Sequence, residues 1–142
     1  MADVYSSIFY HFIWTTKNRE PLLSAEIEAL VFAKIRRKCE ELGVRVFALN
    51  GVCDHVHLVC DLPTRHSAAL LMKHLKGSSA HLVNHLGDDF SLYWQRGYGA
   101  VTFSESALAN VVAYVERQKI HHERGDLKAR LEYVPEYQNE NP

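Results

Sequence analysis

The chain has 142 residues, 47% of them hydrophobic and 23% charged, with a formal net charge of −1. That length suits one domain with a sizeable core and is short for two. No apolar run is long enough to span a membrane, and no charged segment followed by an apolar stretch opens the chain, so it reads as a cytoplasmic protein with no membrane partner.

In chain order, Tyr5 to Thr15 is rich in aromatic and β-branched residues. Ile8, Tyr10, Phe12 and Trp14 alternate with Phe9, His11 and Ile13, the pattern of a central strand apolar on both faces. Ser24 caps an expected helix with Glu26 and Glu28 in its first turn, where the helix dipole favours acids. Leu30, Ala33, Arg37 and Leu42 continue the helical pattern until Gly43 ends it. Val44 to Leu49 reads as a strand, Asn50-Gly51 as a hairpin turn, and Val52 to Leu62 as the returning strand. Ser67 opens a second helix with an apolar stripe of Leu70, Leu71, His74, Leu75 and Leu82, closing near Gly87. Tyr98 to Phe103 is a further strand. Ser104 caps a third helix that runs to about Arg124, with Gly125 after it. Tyr133 to Pro142 is polar and expected to lie along the surface.

Strand, helix, strand, strand, helix, strand is the α+β, ferredoxin-like plan of an antiparallel sheet with two helices on one face. The last helix is an addition whose open side could carry chemistry or a dimer contact. The core is expected over about 5–124 of a single domain, 1–142, with a peripheral tail at 125–142. The cysteines Cys39, Cys53 and Cys60 are odd in number and not spaced as a zinc knuckle. Cys53 and Cys60 fall in the returning strand, so all are read as reduced core thiols.

Two constellations carry chemistry. Asp54-His55-Val56-His57-Leu58 lies on a central strand, and side chains alternate along a strand, so His55 and His57 share a face. Such a pair can chelate one divalent metal, although with nine histidines in the chain it could equally pack or hydrogen-bond. In the third helix Tyr114 and Gln118 stand four apart and stack on one face, beside a stripe of Leu108, Val112 and Val115. Tyr114 there is either a held and reachable phenol or an amphipathic residue at a core edge. His121 follows on the same side, as a phosphate contact or a helix end favoured by the dipole. A metal held by two imidazoles and an amide oxygen would polarise a phosphodiester for attack by the phenol. No base for the phenol is identifiable.

At this point the chain resembles the single-tyrosine HUH transposases of small bacterial and archaeal insertion sequences and the related REP-associated tyrosine transposases. The resemblance runs from about Tyr10 to Glu123. It rests on Tyr10-His11-Phe12-Ile13-Trp14-Thr15-Thr16-Lys17-Asn18-Arg19, on Asn50-Gly51-Val52-Cys53-Asp54-His55-Val56-His57-Leu58, and on Leu75-Lys76-Gly77-Ser78-Ser79. Trp94-Gln95-Arg96-Gly97-Tyr98-Gly99-Ala100 and Tyr114-Val115-Glu116-Arg117-Gln118 complete it. The resemblance implies Tyr114 as nucleophile, His55, His57 and Gln118 as metal ligands, and magnesium or manganese as cofactor. It implies a homodimer that binds hairpins in single-stranded DNA and cuts through a 5′-phosphotyrosine link, leaving a free 3′-hydroxyl.

The near-neutral charge departs from the basic footprint of nucleic-acid enzymes. Lysine and arginine are nevertheless grouped. Lys17, Arg19, Lys73, Lys76 and Arg96 are candidate phosphate contacts, and Trp94 or Tyr98 could stack on an exposed base or pack in the core. Four readings follow: a transposase of its own element, a domesticated relative acting on chromosomal hairpins, a non-catalytic nucleic-acid-binding module, and a metal hydrolase that uses His55 and His57 with water.

Overall fold

The structure is a computed structural model and describes residues 3–125 and 127–135. Four strands, β1 (Phe9–Thr15), β2 (Arg45–Val52), β3 (His55–Asp61) and β4 (Gly99–Phe103), form one sheet in the order β2-β3-β1-β4. Every neighbouring pair is antiparallel. Helices α1 (Ala25–Glu41) and α2 (Ala68–Asn84) cover one face, as the ferredoxin-like plan requires. The other face carries α3 (Leu108–Glu116) and α4 (Gln118–Arg124), and the short α5 (Ala129–Glu132) follows. Among the described residues no helix is long and apolar enough to cross a membrane.

Alternation along β1 and β3 divides the two faces. Phe12 and Trp14 of β1, with Val56, Leu58 and Cys60 of β3, point into the main core against α1 and α2. His11 of β1 and His55, His57 and Val59 of β3 take the other face, where Tyr114, Val115 and Ala48 form a second cluster with Val59. The expected central strand is shorter than the whole apolar run, starting at Phe9.

Both expected caps on the first face form: Ser24 Oγ accepts from Ile27 N–H and Ser67 Oγ from Leu70 N–H. The buried stripes differ in detail from expectation. In α1 they are Ile27, Val31, Ile35 and Cys39, with Leu30 exposed. In α2 they are Leu71, Met72, Leu75, Ser79 and Val83, with Leu70 exposed. Spacing fixes a helical stripe only to within about a residue, because positions three and four apart both satisfy it.

Two expectations are corrected at the hairpin. Asn50 and Gly51 are not the turn; they belong to β2 and pair with His57 and Val56, and the chain reverses at Cys53-Asp54. Cys53 is therefore exposed rather than buried in a strand. Glycine stands at 51 because the backbones approach closely there: a Cβ would collide with the His55 carbonyl oxygen.

The third helix is also not continuous. Ser104 makes no side-chain cap, a 3-10 turn precedes α3, and the helix breaks at Arg117 (φ −102°, ψ 19°) before α4. Asn50 explains how the break is held. Its Nδ2 donates to the Glu116 carbonyl (3.0 Å), and its Oδ1 accepts from Lys119 Nζ (2.8 Å), which also bonds Gly51 O and Glu28. A carbonyl at the helix end is thus satisfied by the hairpin.

Candidate active site

His55 and His57 lie on β3 and are 2% and 0% exposed, with ring centroids 5.1 Å apart. Each is oriented through its Nδ1. His55 Nδ1 is 2.7 Å from Asp54 Oδ1, and His57 Nδ1 is 2.8 Å from His11 Nε2. Both Nε2 atoms therefore face the same space, beneath α3 and α4. His55 Nε2 is buried there without a hydrogen-bond partner among the described residues.

Tyr114 projects from α3 onto this site. Its ring stands edge-on to His57 at 6.3 Å and stacks on His121 at 4.5 Å. The phenol donates to Glu132 Oε1 (2.7 Å) and accepts from the Lys128 backbone N–H (3.0 Å). The second carboxylate oxygen, Glu132 Oε2, lies 3.2 Å from His57 Nε2 and 3.5 Å from His55 Nε2. One carboxylate thus joins phenol and imidazoles, all from a single chain.

Electrostatics follow from this packing. Burial pushes the Tyr114 phenol up to about 12, and the hydrogen bond to anionic Glu132 adds to the rise. Burial opposes the Glu132 charge, yet the hydrogen bond from His57 and its neighbours' donors bring the carboxyl down to about 2. Burial lowers His57 and His122 and takes His11 down to about 3, so these imidazoles stay neutral and keep a lone pair. Asp54 is lowered by its hydrogen bond with His55.

Ligand atoms of His55, His57, His122 and Glu132 all lie within 4.8 Å of one another. Three imidazoles and a carboxylate, with a buried nitrogen among them that has no hydrogen-bond partner among the described residues, suit a divalent first-row cation. The donor set fits the metal that the sequence suggests. Gln118, the third ligand the sequence suggests, is fully buried beside the site with its Oε1 3.0 Å from His122 Nε2, and among the described residues its Nε2 has no hydrogen-bond partner.

Sequence reasoning missed Glu132, His122, His11 and Asp54. His122 was recoverable, being one turn beyond Gln118, and His11 is a polar residue inside an apolar run. Glu132 lies in the stretch expected to be peripheral. The described part of that stretch instead returns to the site: Leu131 packs against the Tyr114 cluster and Val134 is buried. Glycine at 99 admits it, since a Cβ there would strike the Tyr133 carbonyl.

The candidate DNA contacts divide. Lys76 is spent on the carbonyls of Gln95 (2.7 Å) and Gly97 (2.8 Å). Trp94 packs edge-on against Trp14 and donates to Ser79 Oγ (3.0 Å), so it is a strut of the core rather than a platform for a base. Tyr98 packs edge-on against Phe12. His121 is committed to the Tyr114 ring. Lys17, Lys73 and Arg96 are exposed. Arg19 lines a cleft of about 310 Å³ with Thr15, Thr16, Asn18, Gln95, Val134 and Pro135. That cleft adjoins β3, because Thr15 pairs with His55.

The chain matches the family model described as "Transposase IS200 like" over residues 4–118. It is 26% identical over 115 residues to the transposase for insertion sequence element IS200 of Salmonella typhimurium, covering 77% of this chain and 75% of that protein. The ISDra2 transposase TnpA of Deinococcus radiodurans is 29% identical over 121 residues, covering 77% and 82%. A solved transposase structure from Deinococcus radiodurans superposes with a TM-score of 0.63 at 29% identity, covering 83% of this chain and 96% of the other. A REP-associated tyrosine transposase bound to a REP hairpin shares the fold, with a TM-score of 0.63 at 13% identity over 86% and 74% of the two chains. With a family match over residues 4–118, most of its length, this chain belongs to the IS200-like transposases.

Proposed function

We propose that this transposase cleaves and rejoins single-stranded DNA at hairpin-marked ends, with Tyr114 as nucleophile and a divalent cation, magnesium or manganese, at His55 and His57. The observation that carries this reading is the shared carboxylate: Tyr114 Oη and the Nε2 atoms of both histidines converge on Glu132. The phenol therefore stands one carboxylate away from the cation donors. Glu132, His122 and the expected ligand Gln118, whose Oε1 lies 3.0 Å from His122 Nε2, stand beside them as further donors.

In the reaction Tyr114 Oη attacks phosphorus as its proton passes towards Glu132, a 5′-phosphotyrosine bond forms, and the P–O bond to the 3′-oxygen breaks, that oxygen taking up the released proton, directly or through solvent, to leave as a 3′-hydroxyl. A bound cation supplies Lewis acidity to the phosphate oxygens. Glu132 is the acceptor on the phenol proton, but a phenol near 12 facing a carboxyl near 2 keeps that proton on oxygen. The cleft beside Arg19 offers a path for the strand leading to the site. The REP-hairpin complex of a protein with the same fold supports a hairpin substrate. We further propose a homodimer acting in the cytoplasm.

The test is incubation with labelled, hairpin-bearing single strands and manganese. A covalent adduct forms with the native chain, and Tyr114→Phe abolishes it while retaining DNA binding. Cleavage that persists in Tyr114→Phe would transfer the reaction to water at the histidine site. Cleavage unchanged in His55→Ala with His57→Ala would remove the metal assignment. A domesticated relative would use the same site, and matching subterminal hairpins in the flanking DNA distinguish an element that still moves.

A further inference from the structure

The two histidines of the site are not held alike. His55 Nδ1 faces the Asp54 carboxylate, which can only accept, so the proton of His55 stays on Nδ1 and its Nε2 lone pair is permanently available. His57 Nδ1 faces another imidazole, His11 Nε2, at 2.8 Å, with the rings stacked at 5.0 Å. A neutral imidazole carries a single proton. In the structure His57 Nε2 lies 3.2 Å from Glu132 Oε2, again an acceptor, so the His57 proton sits on Nε2. His57 Nδ1 then accepts, and His11 donates from Nε2. His11 Nδ1 is left bare, which agrees with its having no hydrogen-bond partner among the described residues.

A cation at His57 Nε2 requires the opposite arrangement. The His57 proton must move to Nδ1, and His11 must turn from donor to acceptor, taking its own proton on Nδ1. We propose that His11 is a positioning residue that sets the tautomer of His57, so that His57 becomes a metal ligand only as the two rings exchange tautomers together. The inference rests on the metal reading given above. His11 is built for the role: it lies one diagonal away from His57 across the β1–β3 ladder, where His57 pairs with Ile13. It is 1% exposed, so water does not compete for the bond. An imidazole can serve both arrangements, whereas a carboxylate here could only accept.

The experiment uses the full chain and Mn2+ alone, with binding followed by the loss of the free-ion electron paramagnetic resonance signal. His11→Phe keeps a flat ring but removes the acceptor, and is expected to weaken Mn2+ by about 10–100-fold, the usual effect of losing a ligand's supporting hydrogen bond. His11→Gln places an oxygen near the Nε2 position and is expected to stay within about threefold of the native chain. In parallel, long-range 1H–15N imidazole spectra of the native chain report the tautomers directly, with Mg2+ as the diamagnetic ion. The His57 proton is expected on Nε2 without the ion and on Nδ1 with it, while His55 keeps Nδ1–H throughout. Equal loss in the Phe and Gln variants, or a His57 tautomer that does not change with Mg2+, overturns the proposal in favour of a packing role. His57→Ala separates the two readings. If it leaves Mn2+ binding intact, the metal site itself is misassigned and His11 falls with it. If it abolishes binding while His11→Phe does not weaken it, only the role of His11 is wrong.

Discussion

Buried neutral His11 makes the stability of the ion-free protein fall with acid. Its value drops from 6.5 in an open chain to about 3 in the fold, because burial disfavours the imidazolium, with His57 adding to the effect. A basic group lowered by folding stabilises the native state above its unfolded value. That stability is lost as pH falls below 6.5, when the unfolded chain takes a proton that the folded chain refuses. Between the two values the slope is about 1.4 kcal/mol per pH unit, so going from neutral pH to about pH 4.5 removes roughly 2–3 kcal/mol. Losses at His57 and His122, also lowered by burial, run the same way. The assay is urea unfolding at a series of pH values with chelator present, comparing the native chain with His11→Gln. The native curve is expected to fall more steeply, the two converging at acid pH by about the amount above. Parallel curves would show that His11 accepts its proton in the folded protein and refute the buried-neutral account.

Other outcomes follow from single contacts. Glu132→Gln removes a charge that raises the Tyr114 phenol, so ultraviolet titration of the ion-free protein should find the tyrosine ionising below the native value of about 12. The same substitution should weaken Mn2+ binding, since the carboxylate belongs to the donor cluster. Asn50→Ala deprives both the Glu116 carbonyl and Lys119 of a partner. It should cost about 1–2 kcal/mol in chemical unfolding and increase amide exchange around residues 116–119. Gly51→Ala drives a Cβ into the His55 carbonyl oxygen. It should destabilise by about 1–3 kcal/mol, the usual range for overpacking, and lower Mn2+ affinity by displacing His55; unchanged melting would show that β2 can yield there.

How much was legible in the sequence depended on whether a residue's partner was local. The period of two on β3 put His55 and His57 on one face, and that survives intact because strand alternation needs no tertiary information. Tyr114 and Gln118 were rightly brought to one side, but the break between them was invisible, since it depends on Asn50 reaching across from the hairpin. Asn50-Gly51 itself imitated a turn, because close backbone approach and a tight turn both select glycine. Glu132 was out of reach, lying in a short helix with no periodic pattern, drawn in by Tyr114 and His57 rather than by its neighbours in sequence. Lys76 and Trp94 looked like DNA contacts because an ammonium and an indole carry the same chemistry whether they meet nucleic acid or brace a loop.

The most direct test of the central claim is mass-spectrometric mapping of the DNA–protein adduct formed on a hairpin-bearing single strand with manganese. The account predicts one modified peptide, spanning Tyr114, carrying the 5′-phosphate side of the cut strand. An adduct on another residue, or cleavage to free ends with no adduct at any stage, would contradict it.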